Sequence, residues 1–315
     1  MTQLIDPSKF TSTVGLLRSF FLSKGFLEVH TQNRLSILAA CEDPFNVATY
    51  NYAGQVWPLP QTGQMWLEHE LLSSPDSKGF FCVSTSYRQE PNAIPGRHDI
   101  IFPMFEFEMP GDIEDLKEME YELCAYLGFK KPTEKTYTEW QKHYGVNGEL
   151  EAEHELQMYN DFRTTMITDF PEFTSPFWNM SRYPGETESK KIDVILGGME
   201  TIGSAERSTD IDMMRDTFHT ITDGAYSNLL YELFGKDRVE AELEEFLKFD
   251  FFPRVGGGIG MTRMIAALDT LSNPEYKRPV PMGMIQKGTS IPGPLMKSED
   301  PGEVLVIDGK HVVAH

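Results

Sequence analysis

Two arginines lie in segments that could bind the anionic part of a nucleotide. Arg88 opens a segment, 88–108, that carries both cations and carboxylates, and Arg263 follows the glycine-rich run 256–260 by three residues. A guanidinium can donate to two oxygens of a phosphate or carboxylate at once. Glycines let a backbone approach a ligand closely, and helix N-termini attract anions. The alternative for segment 88–108 is a solvated sheet face with cross-strand ion pairs. The alternative for the glycine-rich run is a turn that only packs a strand against a helix.

A pair of carboxylates provides a candidate metal site. Asp193 and Glu200 lie seven residues apart, on either side of Gly197 and Gly198. Two carboxylates that converge from a strand and its neighbour can hold Mg²⁺ bound to phosphates. Surface acid is the alternative reading in a chain with 48 Asp and Glu residues. The three widely spaced cysteines fit neither a metal knuckle nor a disulfide framework.

The elements that must position these residues predict an α+β fold. Apolar spacing and composition predict helices over 11–24, 65–72, 114–127 and 261–271, a helical stretch near 150–169, and helical structure over 210–248. They predict strands over 26–29, 80–87, 102–108 and 191–196, and a glycine-rich strand or turn over 255–260. Short strands and hairpins mixed with helices favour an antiparallel β-sheet flanked by helices. The tail from Pro279 is expected to be extended. No linker divides the chain, so we expect a single domain over 1–315.

Composition and charge exclude several classes of protein. The chain has 315 residues, of which 40% are hydrophobic and 12% aromatic, so it can bury a core and is not disordered. The net charge of −20 disfavours a large nucleic-acid surface, because such surfaces neutralise phosphates with cations. No apolar run approaches the roughly 18 residues that a membrane span needs. The N-terminus lacks the pattern of a signal peptide. We therefore expect a soluble, cytoplasmic protein.

In order and spacing, these segments resemble the catalytic domain of class II aminoacyl-tRNA synthetases. The resemblance covers about residues 11–268 and is to the aspartyl/asparaginyl branch and the related AMP-forming asparagine synthetases. Residues 25–31 look like motif 1, the dimer-forming helix and strand, and 41–45 are similar to the loop that closes over the substrate. Residues 88–108 fit motif 2. Residues 256–263 fit motif 3, in a form especially like that of asparagine synthetases. The resemblance implies the class II catalytic fold and a homodimer.

The resemblance also assigns roles to the matched positions. Arg88 would bind the α-phosphate and the attacking carboxylate, and adenine would lie between Phe102 and Arg263. Asp193 and Glu200 keep the family's spacing for magnesium ligands, so the implied cofactors are ATP and Mg²⁺. The reaction implied is attack of a carboxylate on ATP, which gives an acyl adenylate and pyrophosphate. The implied ATP-binding set is Arg88, Glu90, Arg97, His98, Phe102, Gly258, Gly260 and Arg263, of which Arg88 and Arg263 would be catalytic.

Substrate choice would rest on the segment 61–68 and on Arg207. Gln64 matches the residue that holds the α-amino group. Aspartyl enzymes and some asparagine synthetases have a lysine where this chain has Leu67. Glu68 resembles instead the glutamate of asparaginyl enzymes, which accepts from a carboxamide, and a carboxylate there would repel an aspartate side chain. A merely polar helix residue is the alternative for Glu68. The implied substrate-binding set is Gln64, Glu68, Gly203, Ser204 and Arg207.

These features favour an AMP-forming ligase that adenylates an amino-acid carboxylate and passes it to ammonia, as an aspartate–ammonia ligase does. Aspartate as substrate would require Glu68 to be turned away, protonated, or paired with a base such as Lys248. One alternative activates asparagine, or a peptide-terminal Asp or Asn unit, for a non-tRNA acceptor, and could carry an amide on to a nitrile. Another is a catalytically dead amino-acid-binding paralogue, which the intact matched arginines and carboxylates argue against. We expect tRNA not to be a partner, because the chain begins at motif 1, with no room for an anticodon-binding domain, and is strongly acidic.

Overall fold

The computed structural model describes residues 4–31, 35–37, 46–89, 97, 99–174, 176–185, 187–272, 306–307 and 310–311. The strands are β1 (Leu27–Glu28), β2 (Thr49–Tyr52), β3 (Gln55–Pro58), β4 (Phe80–Tyr87), β5 (Ile101–Pro110), β6 (Thr133–Thr136), β7 (Thr164–Pro171), β8 (Glu188–Leu196), β9 (Met199–Arg207), β10 (Arg254–Gly260), β11 (Val306–Ile307) and β12 (Lys310–His311). The helices are α1 (Pro7–Ser23), α2 (Gln64–Ser73), α3 (Ile113–Tyr126), α4 (Tyr137–Tyr144), α5 (Ala152–Phe162), α6 (Ile211–Thr220), α7 (Ala225–Phe234), α8 (Lys236–Phe246) and α9 (Met261–Leu271).

One eight-stranded sheet brings the candidate site residues together. Its strand order is β1-β4-β5-β10-β9-β8-β7-β6, and its neighbouring strands are antiparallel except for the outer pairs β1–β4 and β6–β7. In the middle of the sheet, Gly258 of β10 lies opposite both Glu106 of β5 and Gly203 of β9. Residues from distant parts of the sequence therefore meet at its centre. The sheet and its flanking helices confirm the predicted α+β class.

Strand alternation separates an aromatic face of the sheet from a polar one, because successive side chains point to opposite faces. On β5, Phe105 and Phe107 are buried beneath α1, where the Phe21 ring centroid lies 5.1 Å from the centroid of each. The alternate residues Glu106 and Glu108 are buried too, on the other face. Buried carboxylates are costly unless they are paired. The polar face is therefore the candidate position of a ligand-binding site.

Most predicted elements are confirmed close to their expected bounds. The strand over 80–87 and the helix over 261–271 have the predicted ends. The hairpin of β4 and β5 is present, and 210–248 is helical but divides into α6, α7 and α8. α1 begins earlier than residue 11, because the Asp6 side chain accepts hydrogen bonds from the backbone N–H groups of Ser8 and Lys9.

The structure differs from the expectation in several regions. The helical stretch near 150–169 ends with α5 at Phe162, Arg163 has a φ of 72°, and β7 follows. Thr164 and Thr165 are β-branched, which favours a strand, and β7 pairs on both sides with β6 and β8. The sequence analysis predicted neither the hairpin of β2 and β3 nor the elements β6, α4 and β9. Of the tail from Pro279, only the short antiparallel pair β11–β12 is among the described residues.

Candidate active site

The start of β10 leaves room for polar side chains on the sheet. A Cβ atom at Gly256 would overlap the Glu108 carboxylate, and it would lie 2.6 Å from Gln64 Nε2. Gly258 faces the same side, beside Met104 of β5. Gly260 immediately precedes α9 as its N-cap residue. The glycine run therefore serves close approach, as the sequence indicates, and any side chain at Gly256 would displace the groups around it.

Arg88 and Phe102 lie together where β4 ends and β5 begins. The Arg88 guanidinium carbon is 5.6 Å from the centre of the Phe102 ring. Arg88 Nε is buried and has no hydrogen-bond partner among the described residues. A buried guanidinium donor without an acceptor is costly, so it indicates space for an anionic ligand.

Arg263 of α9 reaches back over the sheet to Glu200 of β9. Its Nη1 atom donates to the Glu200 carbonyl oxygen at 2.8 Å and lies 3.6 Å from Glu200 Oε2. Burial opposes the charge of the Glu200 carboxylate, but the Arg263 guanidinium and Lys191 hold its pKa below the usual range. Arg263 of motif 3 is thus in direct contact with one of the two candidate metal ligands, Glu200.

Asp193 and Glu200 face the same space, as the sequence predicts. A Cβ atom at Gly203 would lie 2.7 Å from Glu200 Oε1 and 3.5 Å from Asp193 Oδ1. Asp193 is 7% exposed, and its Oδ1 atom has no hydrogen-bond partner in the described part of the chain. Burial raises the pKa of Asp193 to about 7, and Glu200 adds to the rise, while Lys191 opposes it. This donor set fits a divalent cation, which would restore the charge of Asp193.

The protein alone does not enclose such an ion. Among the described residues, no group of three or more His, Cys, Asp or Glu side chains converges as a metal site. An ion held by two carboxylates would complete its shell with phosphate or water oxygens, which is the usual arrangement for Mg²⁺.

Arg97 also reaches this end of the site but is paired with a residue that the sequence analysis missed. Its Nη2 atom lies 2.6 Å from Glu155 Oε1, and both side chains are about one-tenth exposed. Glu155 Oε2 accepts a hydrogen bond from the backbone N–H of Glu200 at 2.8 Å. Glu155 therefore connects α5 to both candidate phosphate and metal groups. Glu90, His98 and the loop 41–45 lie outside the described residues.

The predicted substrate residues Gln64 and Arg207 meet at Glu108. Gln64 Nε2 donates to the Phe107 carbonyl oxygen at 3.0 Å and to the Glu108 carboxylate. The Arg207 Nε and Nη2 atoms each lie 3.3 Å from a Glu108 oxygen. Burial raises the pKa of Glu108 to about 7, although Arg207 opposes the rise. Glu108 was missed as a site residue, although its alternation with Glu106 placed both on this face.

Glu68 is fully buried, and protein groups use both of its oxygens. Arg254 Nη2 donates to Oε2 at 2.6 Å, and Asn179 Nδ2 donates to Oε1 at 2.9 Å. Arg207 Nε is 3.7 Å from Oε1. Glu68 is therefore paired with a base from elsewhere in the chain, but that base is Arg254. Lys248 instead pairs with Glu245 on the surface.

Arg254 could have been found from the sequence by strand alternation. It begins β10, so it shares a face with Gly256 and Gly258, the face on which Glu68 and Glu108 also lie. Together Glu68, Glu108, Arg207 and Arg254 form the buried charge cluster of the site. All four are fully or almost fully buried, and they come from α2, β5, β9 and β10.

Ser204 does not lie with Gly203 at the substrate side, and that expectation is corrected. Consecutive residues of β9 point to opposite faces, so Gly203 faces Asp193 while Ser204 faces α3. The Ser204 hydroxyl donates to Glu120 Oε1 at 2.6 Å. Glu120 is fully buried, and its Oε2 atom has no partner among the described residues. Burial raises the pKa of Glu120 to about 8.

Replacing Glu120 by glutamine should flatten the dependence of stability on pH. Because the folded-state pKa is raised, the contribution of Glu120 to stability is full below its ordinary pKa of 4.5 and is lost as pH rises through about 8. Between about pH 5 and about pH 8, we expect the free energy of unfolding to fall less steeply in Glu120→Gln, by about 1 kcal/mol per pH unit. Urea unfolding at several pH values in this range measures the free energy of unfolding and its slope with pH. The exposed Glu118→Gln on the same helix is the control, and equal slopes in all three proteins would contradict the prediction.

Comparison with known proteins gives one family. Residues 8–273 match the family model described as tRNA synthetases class II (D, K and N). The cytoplasmic aspartate–tRNA ligase of Rattus norvegicus is 23% identical over 291 residues, which cover 79% of this chain and 54% of the ligase. The asparagine–tRNA ligase of Desulfotalea psychrophila is 25% identical over 325 residues, and the match covers 84% of this chain and 66% of that ligase. The chain thus spans about half the length of the curated aspartate–tRNA ligase.

Solved structures show the same fold. The asparaginyl-tRNA synthetase from Pyrococcus horikoshii, complexed with asparaginyl-adenylate, matches with a TM-score of 0.69 at 19% identity, over 83% of this chain and 64% of that one. A putative aspartyl-tRNA synthetase from Leishmania major matches with a TM-score of 0.67 at 14% identity, over 84% and 62%. No helix in the described ranges is long and apolar enough to cross a membrane.

Proposed function

The chain belongs to the class II tRNA synthetases (D, K and N), and on that premise we propose that it activates an amino-acid carboxylate with ATP, forming an acyl adenylate and pyrophosphate. The observation that carries the proposal is the assembly of motif 2 and motif 3 groups on one face of the sheet. Arg263 contacts Glu200, Glu200 and Asp193 share one space, and Arg88 lies near enough to Glu200 to lower the pKa of its carboxyl. A catalytically dead paralogue has no chemical reason to keep this assembly.

The chain's own residues act mainly by positioning and by stabilising charge. Arg88, whose Nε has no protein partner among the described residues, would bind the α-phosphate and the attacking carboxylate. Phe102 and Arg263 would hold the adenine between them, with Gly258 and Gly260 leaving room. Asp193 and Glu200 would hold Mg²⁺, which would neutralise charge on the phosphates. The resemblance adds Glu90 and His98 to the ATP-binding groups.

Arg97 has a different requirement from Arg88. To bind the outer phosphates, its guanidinium would have to exchange the Glu155 carboxylate for phosphate oxygens. Both groups are anionic acceptors that a guanidinium can bind through two donors. The exchange conserves the charge pairing of Arg97 while it frees Glu155 beside Glu200.

We propose aspartate as the amino acid and ammonia as the acceptor, so that the product is an amide. The pairing of Glu68 with Arg254 and Asn179 supports aspartate, because it removes the repulsion that a lone Glu68 carboxylate would exert on a second carboxylate. One carboxylate of aspartate would bind at Arg88 and the other at Arg207. Burial raises the pKa of Glu108, so uptake of a proton on substrate binding would let Glu108 donate to that carboxylate.

The second candidate is activation of asparagine, or of a peptide-terminal Asp or Asn unit, for a non-tRNA acceptor. It is favoured by Leu67 and Glu68, which follow Gln64 as in asparaginyl enzymes, and by the fold shared with the Pyrococcus horikoshii enzyme that is complexed with asparaginyl-adenylate. A variant would dehydrate an amide to a nitrile: the amide oxygen would attack ATP with release of pyrophosphate, and loss of AMP and protons would leave the nitrile. The net charge of −20 disfavours tRNA as the acceptor.

ATP–pyrophosphate exchange separates the two candidates. We expect exchange with aspartate to exceed exchange with asparagine by at least about tenfold, because a site built for one side chain leaves groups unpaired with the other. After ammonium is added, mass spectrometry should find asparagine and AMP. Peptides ending in Asp or Asn complete the panel. Exchange with asparagine alone would favour the second candidate, and no exchange with any substrate would contradict activation itself.

Assembly and location belong to the same proposal. We propose a homodimer, since α1 and β1 expose Leu16, Leu22 and Leu27, which a second copy could cover. We also propose that residues 1–315 form a single catalytic domain and that the protein acts in the cytoplasm.

A further inference from the structure

Lys191 lies inside the candidate metal site. Its ammonium nitrogen is 2.9 Å from Asp193 Oδ2, and its charge also lowers the pKa of Glu200. Lys191 and Asp193 are two residues apart on β8, so both point to the same face of the sheet. The Lys191 side chain is 20% exposed, and that of Asp193 is 10% exposed. The pair is therefore largely shielded from solvent. Charge interactions are stronger at such a buried position than on the surface.

A second group holds the ammonium at this position. The Lys191 nitrogen lies 4.0 Å from the centre of the Phe170 ring of β7, within the range of a cation–π contact. The neighbouring Lys190 has a different environment, because it points to the other face and pairs with Glu206 at 2.7 Å. Of these two lysines, only Lys191 is directed at the metal ligands by the strand.

Asp193 is only half satisfied by this lysine. Its Oδ2 atom accepts from Lys191, while Oδ1 is buried without a partner among the described residues and faces the space that it shares with Glu200. A buried carboxylate oxygen without a donor is costly and points to a further cation in that space. One cation is thus already present, and room for another lies next to it.

We propose that Lys191 is a built-in counter-ion that competes with a divalent cation for Asp193. This inference rests on the metal site of the proposed function. An ion entering between Asp193 and Glu200 meets the repulsion of the ammonium, so the protein alone binds free metal weakly. Phosphate oxygens of a bound nucleotide would attract the ammonium away from Asp193 and would supply further ligands to the ion. Metal uptake is thereby coupled to binding of the nucleotide.

Metal affinity without nucleotide tests the proposal directly. Mn²⁺ is titrated into the full-length protein, and the free ion is measured by electron paramagnetic resonance. We expect Lys191→Met to bind Mn²⁺ at least about tenfold more tightly than wild type, because a repelling charge a few ångströms away is removed. Lys190→Met makes the same change in net charge and should stay within about twofold of wild type. Lys191→Arg keeps the charge and should keep the weak affinity.

Asp193→Asn separates failure of this inference from failure of the metal site. In the Lys191→Met background it should abolish the gain in Mn²⁺ affinity. If Asp193→Asn weakens Mn²⁺ binding but Lys191→Met binds no more tightly than wild type, the counter-ion role of Lys191 is wrong and the metal site stands. If Asp193→Asn changes Mn²⁺ binding in neither background, the metal site itself is wrong. Equal gains in Lys190→Met and Lys191→Met would show a general charge effect and would also overturn the proposal.

Discussion

Replacing either Arg88 or Arg263 by alanine is expected to reduce ATP–pyrophosphate exchange by about a hundredfold to a thousandfold or more. Arg88 would stabilise charge that develops at the α-phosphate, and preorganised donors at such positions contribute effects of this size. Arg263 contacts both the backbone and the carboxylate of Glu200, so its loss would remove an adenine contact and a partner of the metal site. Exchange rates are measured at saturating amino acid over a range of ATP concentrations. They give the effect of each substitution on kcat and on the KM for ATP.

A surface arginine provides the control for these two variants. Arg215 of α6 pairs with Asp212 and Glu244, its side chain is 38% exposed, and it lies outside the candidate site. Arg215→Ala should exchange at nearly the wild-type rate. Thermal unfolding of all three variants checks that they remain folded. Wild-type exchange in both Arg88→Ala and Arg263→Ala would overturn the proposed activation chemistry.

Replacing Arg254 by methionine is expected to destabilise the protein by about 3–5 kcal/mol, because it leaves a fully buried carboxylate without its main partner. Arg254 Nε and Nη2 both donate to Glu68 Oε2, and neither side chain is exposed. The double variant Glu68→Gln with Arg254→Met should recover a large part of the loss, because it removes both charges. Chemical unfolding of the two single variants and the double variant gives the coupling energy.

The exposed pair of Arg215 and Glu244 provides a reference for the stability cost of breaking an ion pair on the surface. Arg215→Met should cost no more than about 1 kcal/mol, as is usual for exposed ion pairs. If Arg254→Met costs as little as Arg215→Met, the Glu68 carboxylate is not held by Arg254. The support that this pairing gives to aspartate as substrate would then be lost. A loss in Arg254→Met that the double variant does not reduce would show that packing, and not charge, is responsible.

The sequence is informative where the determinants are local. The strand over 80–87 and the helix over 261–271 show continuous patterns, so their bounds are predicted well. The family order of the motifs also places Asp193, Glu200 and Arg263 together, as the structure does. Each of these inferences depends on residues close in sequence or on the fixed spacing of a motif.

The missed pairings depend on contacts between segments that are distant in sequence. Glu68 and Arg254 are 186 residues apart, and nothing near Glu68 identifies its partner. Glu155 lies in a segment with mixed patterns, and only the packing of α5 brings it to Arg97. A one-dimensional pattern shows that these residues are charged but not which opposite charge each meets. Ser204 is different, because alternation along a strand over 199–207 would have placed it on the face opposite Gly203.

The buried charge cluster also constrains how the amino-acid preference of this chain can evolve. Glu68, Glu108, Arg207 and Arg254 compensate one another, and each comes from a different element of the fold. A single substitution that alters the charge at one of these positions leaves another charge buried and unpaired, so it costs stability before it changes specificity. A change of preference between an acid and an amide substrate therefore requires paired substitutions that keep the buried charges balanced. Selection for a new substrate would act on Glu68 and Arg254 as one epistatic unit.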